Sequence, residues 1–89
     1  MQVVISVEAL ADLAAIRAYI GAENPYAASR VAVQIVAACD RLALMPERGR
    51  PGLDPTTRKL TSAWPYVIVY QISAETIEVL RVWHGAQDR

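Results

Sequence analysis

Residues 64 to 84, WPYVIVYQISAETIEVLRVWH, leave the chain few folds to choose from. β-Branched and aromatic side chains crowd Tyr66 to Ile72 and again Ile77 to Trp83, with the polar Ser73-Ala74-Glu75-Thr76 between them. That pattern predicts two strands, 65–72 and 77–84, joined by a tight turn. Pairing Ile72 with Ile77 places Tyr70 opposite Val79, Ile68 opposite Arg81 and Tyr66 opposite Trp83. The other face then carries Val67, Val69, Leu80 and Val82, with Gln71 and Glu78 near the turn. A hairpin lying half in water shows one apolar and one polar face. This one is apolar on both. The chain's own helices can cover one face, and the second asks for a partner or a closely wrapped loop.

Those helices are legible upstream. Gln2 to Ser6 is a short apolar run that reads as a strand, with Ser6 placed to cap a helix. Glu8 and Asp12 sit in the opening turns of that helix, over about 8–22, where negative charge suits the dipole. Leu10, Leu13, Ile16 or Arg17, and Ile20 recur along it at helical spacing. Asn24-Pro25 restarts the helix, Asn as cap and Pro at the first position, where a missing N–H costs nothing. The second helix is expected over 25–44, roughly 30 Å long. Its stripe is Val31, Ile35, Ala38 and Leu42, flanked by Val33 and Val36, with Arg30 and Arg41 off the stripe and in solvent. The simplest reading makes all these apolar residues core; the other lets part of the surface dock a partner helix. From Pro46 to Pro55 prolines and glycines are too dense for a regular element. Extended structure resumes at Arg58-Lys59-Leu60. The expected architecture is α+β: one two-layer domain over 1–89, order β-α-α-β-β-β, an antiparallel helix hairpin packed on a mainly antiparallel sheet.

Size and charge exclude some functions. A chain of 89 residues buries only ~60–65% of its surface on folding, so a 54% hydrophobic content implies a dense core or an apolar interface. Nine basic residues balance nine acidic ones, which argues against nucleic acid as the sole partner. The single cysteine, Cys39, forbids an internal disulfide and fits a reducing cytoplasm; within an apolar helical run it reads as an inert buried thiol. No apolar stretch approaches a membrane span, and no signal peptide is expected. One His, one Cys and scattered carboxylates build no metal site, and the four glycines never take phosphate-loop spacing, so no cofactor is expected. What remains is acid–base chemistry by Arg58, Lys59, Arg81 and His84, a set that could activate a ribose 2′-hydroxyl and stabilise a phosphorane. Each also has a plainer role: solvated charge for Arg58 and Lys59, a backbone cap for His84, and for Arg81 stacking on Tyr66 or Trp83 or pairing with a helix carboxylate.

The element order, Pro46-Glu-Arg-Gly-Arg-Pro51 after the second helix, Arg58-Lys59-Leu60, Pro65-Tyr66-Val67-Ile68-Val69-Tyr70 and the ending Leu80-Arg81-Val82-Trp83-His84-Gly85-Ala86-Gln87-Asp88 together resemble the RelE/ParE toxin superfamily of bacterial type II toxin–antitoxin systems. The P-x-x-G-R-P, P-Y-x-I-x-Y and V-x-H-G-A-x-D pieces resemble its ParE side. The resemblance implies a growth-inhibiting toxin held by a cognate antitoxin whose disordered tail folds onto it, with operator DNA bound only through the antitoxin. RelE-like members cut messenger RNA on the ribosome with basic residues on the open sheet face. The corresponding positions here are Val67, on the third strand, and Gly85 and Ala86, just past the last one. The resemblance therefore implies a protein target, DNA gyrase by family analogy, with messenger-RNA cleavage as the alternative. Candidate contacts to target or antitoxin are Arg48, Arg50, Tyr66, Val67, Val69, Arg81, Trp83 and His84. If the chain is a ribonuclease, the candidates are Arg58, Lys59, Arg81 and His84.

Overall fold

Ser6 makes the first corner of the chain. In the computed structural model, which describes residues 1–87, strand β1 (Gln2–Ile5) stops at Ser6, whose Oγ accepts from the Ala9 amide and caps helix α1 (Val7–Gly21). The same hydroxyl donates to the Leu80 carbonyl at 2.9 Å, and the Ser6 amide donates to the Val79 carbonyl, so the corner is tied to the far end of the chain. Asn24 repeats the device: its Oδ1 accepts from the Ala27 amide and Pro25 opens helix α2 (Pro25–Arg41). Helix α2 ends three residues short of the expected boundary. The amides of Leu42, Ala43 and Leu44 bond back only three residues, to Cys39, Asp40 and Arg41, and this tightened turn closes the helix before Met45-Pro46.

Strands β2 (Arg50–Pro51), β3 (Arg58–Leu60), β4 (Tyr66–Ile72) and β5 (Thr76–His84) complete a five-stranded sheet in the order β1-β5-β4-β3-β2. Only β1 and β5 run parallel. The strand β2 is new relative to the sequence expectation. It survives in a proline-rich connector because it is two residues long and lies at the sheet edge, where Pro51 has no outer neighbour to serve with an amide.

The hairpin register holds at the turn, where Ile72 pairs with Ile77 and Tyr70 with Val79. It then slips by one residue at a β-bulge: Val69 pairs with Arg81, Ile68 with Val82, Val67 with Trp83 and Tyr66 with His84. The expected pairs Ile68–Arg81 and Tyr66–Trp83 are thereby corrected. A one-residue slip exchanges faces, so Val82 joins the helix-covered side while Arg81 and Trp83 leave it. The helices cover the face carrying Ile68, Tyr70, Ile77, Val79 and Val82, which meet Ala9, Leu13, Ile35, Ala38, Cys39 and Leu42 in one core. The helix stripes are narrower than the sequence suggests. Leu10, Val33 and Val36 all stand exposed: Ala9 takes the inner position beside Leu10, and Ile35 the one beside Val36.

Tyr70 is the polar exception in this core. Its buried ring sends the hydroxyl out to donate to the Pro46 carbonyl at 2.7 Å and to accept from the Gly49 amide at 2.8 Å. Arg58, its register partner on β3, donates to the Gly49 carbonyl at 2.7 Å and, at 3.4 Å, to that of Glu47. The irregular connector is thus held by two side chains of the sheet. Gly49 has no alternative: a Cβ there would lie 2.7 Å from the Tyr70 hydroxyl and 2.8 Å from the Lys59 carbonyl.

Candidate functional site: a groove beside the last strand

Strand β1 accompanies β5 only as far as the pair Ile5–Val79, so beyond Val79 the outer edge of β5 has no neighbouring strand. Exposed strand edges offer unpaired backbone groups, and the start of the chain supplies side chains for the first of them. Ser6 serves the Leu80 carbonyl, and Asp12 Oδ2 accepts from the Val82 amide at 2.9 Å. Asp12 also takes a two-pronged bond from Arg81, Nε to Oδ2 at 2.8 Å and Nη2 to Oδ1 at 3.0 Å. The Arg81 guanidinium in turn lies 5.2 Å from the centre of the Trp83 ring. Arg81 therefore fills both plainer roles expected of it, stacked on an aromatic ring and paired with a helix carboxylate.

Between α1 and this edge runs an open groove of about 820 Å³, walled by Ile16 and Tyr19 on the helix and by Tyr66, Arg81, Trp83 and His84 on the sheet. Tyr66 and His84 face each other across the last rung of the hairpin, ring centres 5.6 Å apart and planes nearly perpendicular. His84 Nδ1 accepts from the Ala86 amide at 3.1 Å, so a neutral ring carries its proton on Nε2. Burial pushes the Asp12 carboxyl up, but the bonds from Arg81 and the Val82 amide, with the guanidinium charge, outweigh it and hold it below the usual carboxylate range. The bond to Asp12 also raises Arg81. The groove is aromatic and apolar with one neutralised ion pair, which suits an extended or helical peptide better than a phosphate.

The expected site residues divide. Tyr66, Arg81, Trp83 and His84 come together in the groove. Val67 and Val69 are buried, 1% and 8% exposed, so they offer no contact surface; in a strand inside a five-stranded sheet their side chains are enclosed on the second face as well. Arg58 lies on the helix-covered face with Tyr70, bonded to the connector rather than standing on the open face. Lys59 pairs in register with Val69 and Arg50. Arg48 is exposed in the connector and Arg50 on β2, three strands and about 14 Å across the sheet from β5. The sequence reading placed Asp12 only as a charge at the helix start. Its position beside Leu13, one turn past buried Ala9 and one before Ile16, was the available signal: a lone acid on the inward stripe needs a partner. Cys39 lies in the core, and burial with the neighbouring Asp40 raises its thiol to about 11, which keeps it inert. Among the described residues no cluster of three His, Cys, Asp or Glu side chains could hold a metal ion, and no helix is long and apolar enough to cross a membrane.

Two helices packed on a five-stranded mixed sheet make the α+β fold of the RelE/ParE class of small toxins. The ParE toxin family of the type II toxin–antitoxin system parDE matches residues 3–89, and the chain belongs to that family. Toxin RelE2 of Caulobacter vibrioides is 45% identical over 86 residues, 97% of each chain. Toxin RelE1 of the same organism is 34% identical, covering 98% of this chain and 96% of its own. A solved structure described as the chromosomal ParDE TA system from P. aeruginosa superposes with a TM-score of 0.84 at 27% identity, covering 94% of this chain and 95% of that one. The chain is a type II toxin-antitoxin toxin of the RelE/ParE superfamily.

Proposed function

We propose that the chain stops growth by seating itself on a protein target, with DNA gyrase the first candidate, and that a cognate antitoxin silences it by laying a segment along the groove between α1 and β5. The observation that carries this reading is the commitment of the cations. Cutting RNA needs positive charge aimed at the phosphorane, and losing one such group costs roughly 10²–10³ in rate. Arg58 is bonded to the Glu47 and Gly49 carbonyls and Arg81 to both oxygens of Asp12. Val67 and Gly85 stand where RNA-cutting members of the superfamily carry charge. The groove, by contrast, offers aromatic anchors of the kind that dominate protein interfaces. Operator DNA is bound through the antitoxin, in keeping with the zero net charge of this chain.

The test is gyrase supercoiling with the purified chain, alone and with its antitoxin. Inhibition that the antitoxin relieves is the expected result. Supercoiling untouched by a chain that still arrests growth would remove gyrase as the target.

A further inference from the structure

The outer face of the helix hairpin carries a second apolar surface whose lining shares no residue with the groove's. Ser29, Val33, Val36 and Asp40 recur on α2 at spacings that keep them on one face, with Ala32 and Ala37 beside them and Arg17 of α1 at the rim. Val33 is 68% exposed and Val36 39%, an unusual position for two β-branched side chains in mid-helix. Between its ends, Ser29 and Asp40, the sequence along this face reads the same way in both directions, Ala-Val-Val-Ala. Turned about an axis midway between Val33 and Val36, Ser29 meets Asp40, Ala32 meets Ala37 and Val33 meets Val36. Charge follows the same symmetry. Gly21 abuts Ala28, so in the antiparallel hairpin Arg17 lies level with Ala32, at the Ser29 end of the face. The rotation brings Arg17 of one copy toward Asp40 of the other, twice. Neither Arg17 nor Asp40 has an ion-pair partner among the described residues.

We propose that this face joins two copies of the chain about a two-fold axis, α2 crossing α2 in antiparallel fashion. Isologous contacts require a self-complementary patch, and this one is self-complementary in apolarity and charge. The alanines allow the two helices to approach closely, the valines interdigitate, and the Arg17–Asp40 pairs flank them at both ends. A partner protein would have no reason to match the internal symmetry of the face, whereas a second copy matches it by construction.

Sedimentation of the purified chain over a concentration series reads the proposal directly. The wild type should pass from monomer to dimer. Arg17→Asp and Asp40→Arg should each weaken the dimer about ten-fold or more, since every reversal acts at two symmetric pairs. The double variant Arg17→Asp/Asp40→Arg should restore it, with circular dichroism unchanged throughout because both positions are exposed. A wild type that stays monomeric, or a dimer indifferent to the single reversals, would overturn the assignment. So would single reversals that leave self-association alone and weaken antitoxin binding, which would give the face to the antitoxin.

Discussion

Asp12 joins three parts of the molecule with one carboxylate: the second turn of α1, the Arg81 guanidinium and the open amide of Val82. Replacing it by alanine leaves that amide and the guanidinium without acceptors, and thermal or urea unfolding should show a loss of about 1–2 kcal/mol at neutral pH. Its pH dependence has a definite sign. The carboxyl is held below its unfolded value, so its contribution is complete above about pH 4 and fades as pH falls through the lower folded value. Stability of the wild type should therefore decline in acid more steeply than that of Asp12→Asn; parallel declines would mean the pair contributes nothing. Gly49 and Tyr70 make a second residue-scale case. Gly49→Ala forces a methyl group against the Tyr70 hydroxyl, and Tyr70→Phe strands the Gly49 amide, so each should cost about 1–3 kcal/mol by urea unfolding. The motif pieces that resemble the toxin family act here in part as structure. Tyr70 of P-Y-x-I-x-Y anchors the P-x-x-G-R-P connector. Gly85, next to His84, lets the Trp64 ring lie against the backbone, where a Cβ would come within 2.7 Å of it.

Among the elements, the β4–β5 hairpin is the part most deeply enclosed, with Ile68, Tyr70, Ile77 and Val79 all fully buried. Native-state hydrogen exchange should find the slowest amides there and fast exchange in β2, whose two residues pair with β3 alone; equal protection in both would contradict the layering. This hairpin, both helix caps and the order of the elements other than β2 are legible in the sequence because each rests on local chemistry: β-branching, Ser6 and Asn24 at the caps, Pro25 at a helix start. The bulge was not. Leu80 and Arg81 are ordinary strand residues, and no glycine or proline marks the slip. It is fixed from a distance by Ser6 and Asp12, which hold the Leu80 carbonyl and the Val82 amide, more than 60 residues away in the chain. That one residue decided which face Arg81, Val82 and Trp83 occupy, and with it half of the candidate site. The exposure of Leu10, Val33 and Val36 was hidden for a different reason. Periodicity marks an apolar residue but does not say whether a neighbour, as Ala9 does beside Leu10 and Ile35 beside Val36, takes the inner place.

At the scale of the whole molecule, the doubly apolar hairpin resolves into three surfaces: a core face under the helices, a second face on which Val67 and Val69 are already enclosed, and the aromatic groove at the open end of β5. Tyr19 stands on the groove rim at 85% exposure, so Tyr19→Glu should leave the melting temperature unchanged while weakening antitoxin affinity at least ten-fold, read by calorimetric titration. Unchanged affinity would move the antitoxin elsewhere. The central claim is that this toxin works by occupying a protein and not by cutting RNA, and programmed ribosomes test it most directly. Purified chain added to ribosomes stalled with a defined messenger should leave the transcript intact at every position, and His84→Ala should alter toxicity only as far as it alters binding. Cleavage in the ribosomal A site, lost in His84→Ala with the fold preserved, would contradict the account and make the groove a ribonuclease site.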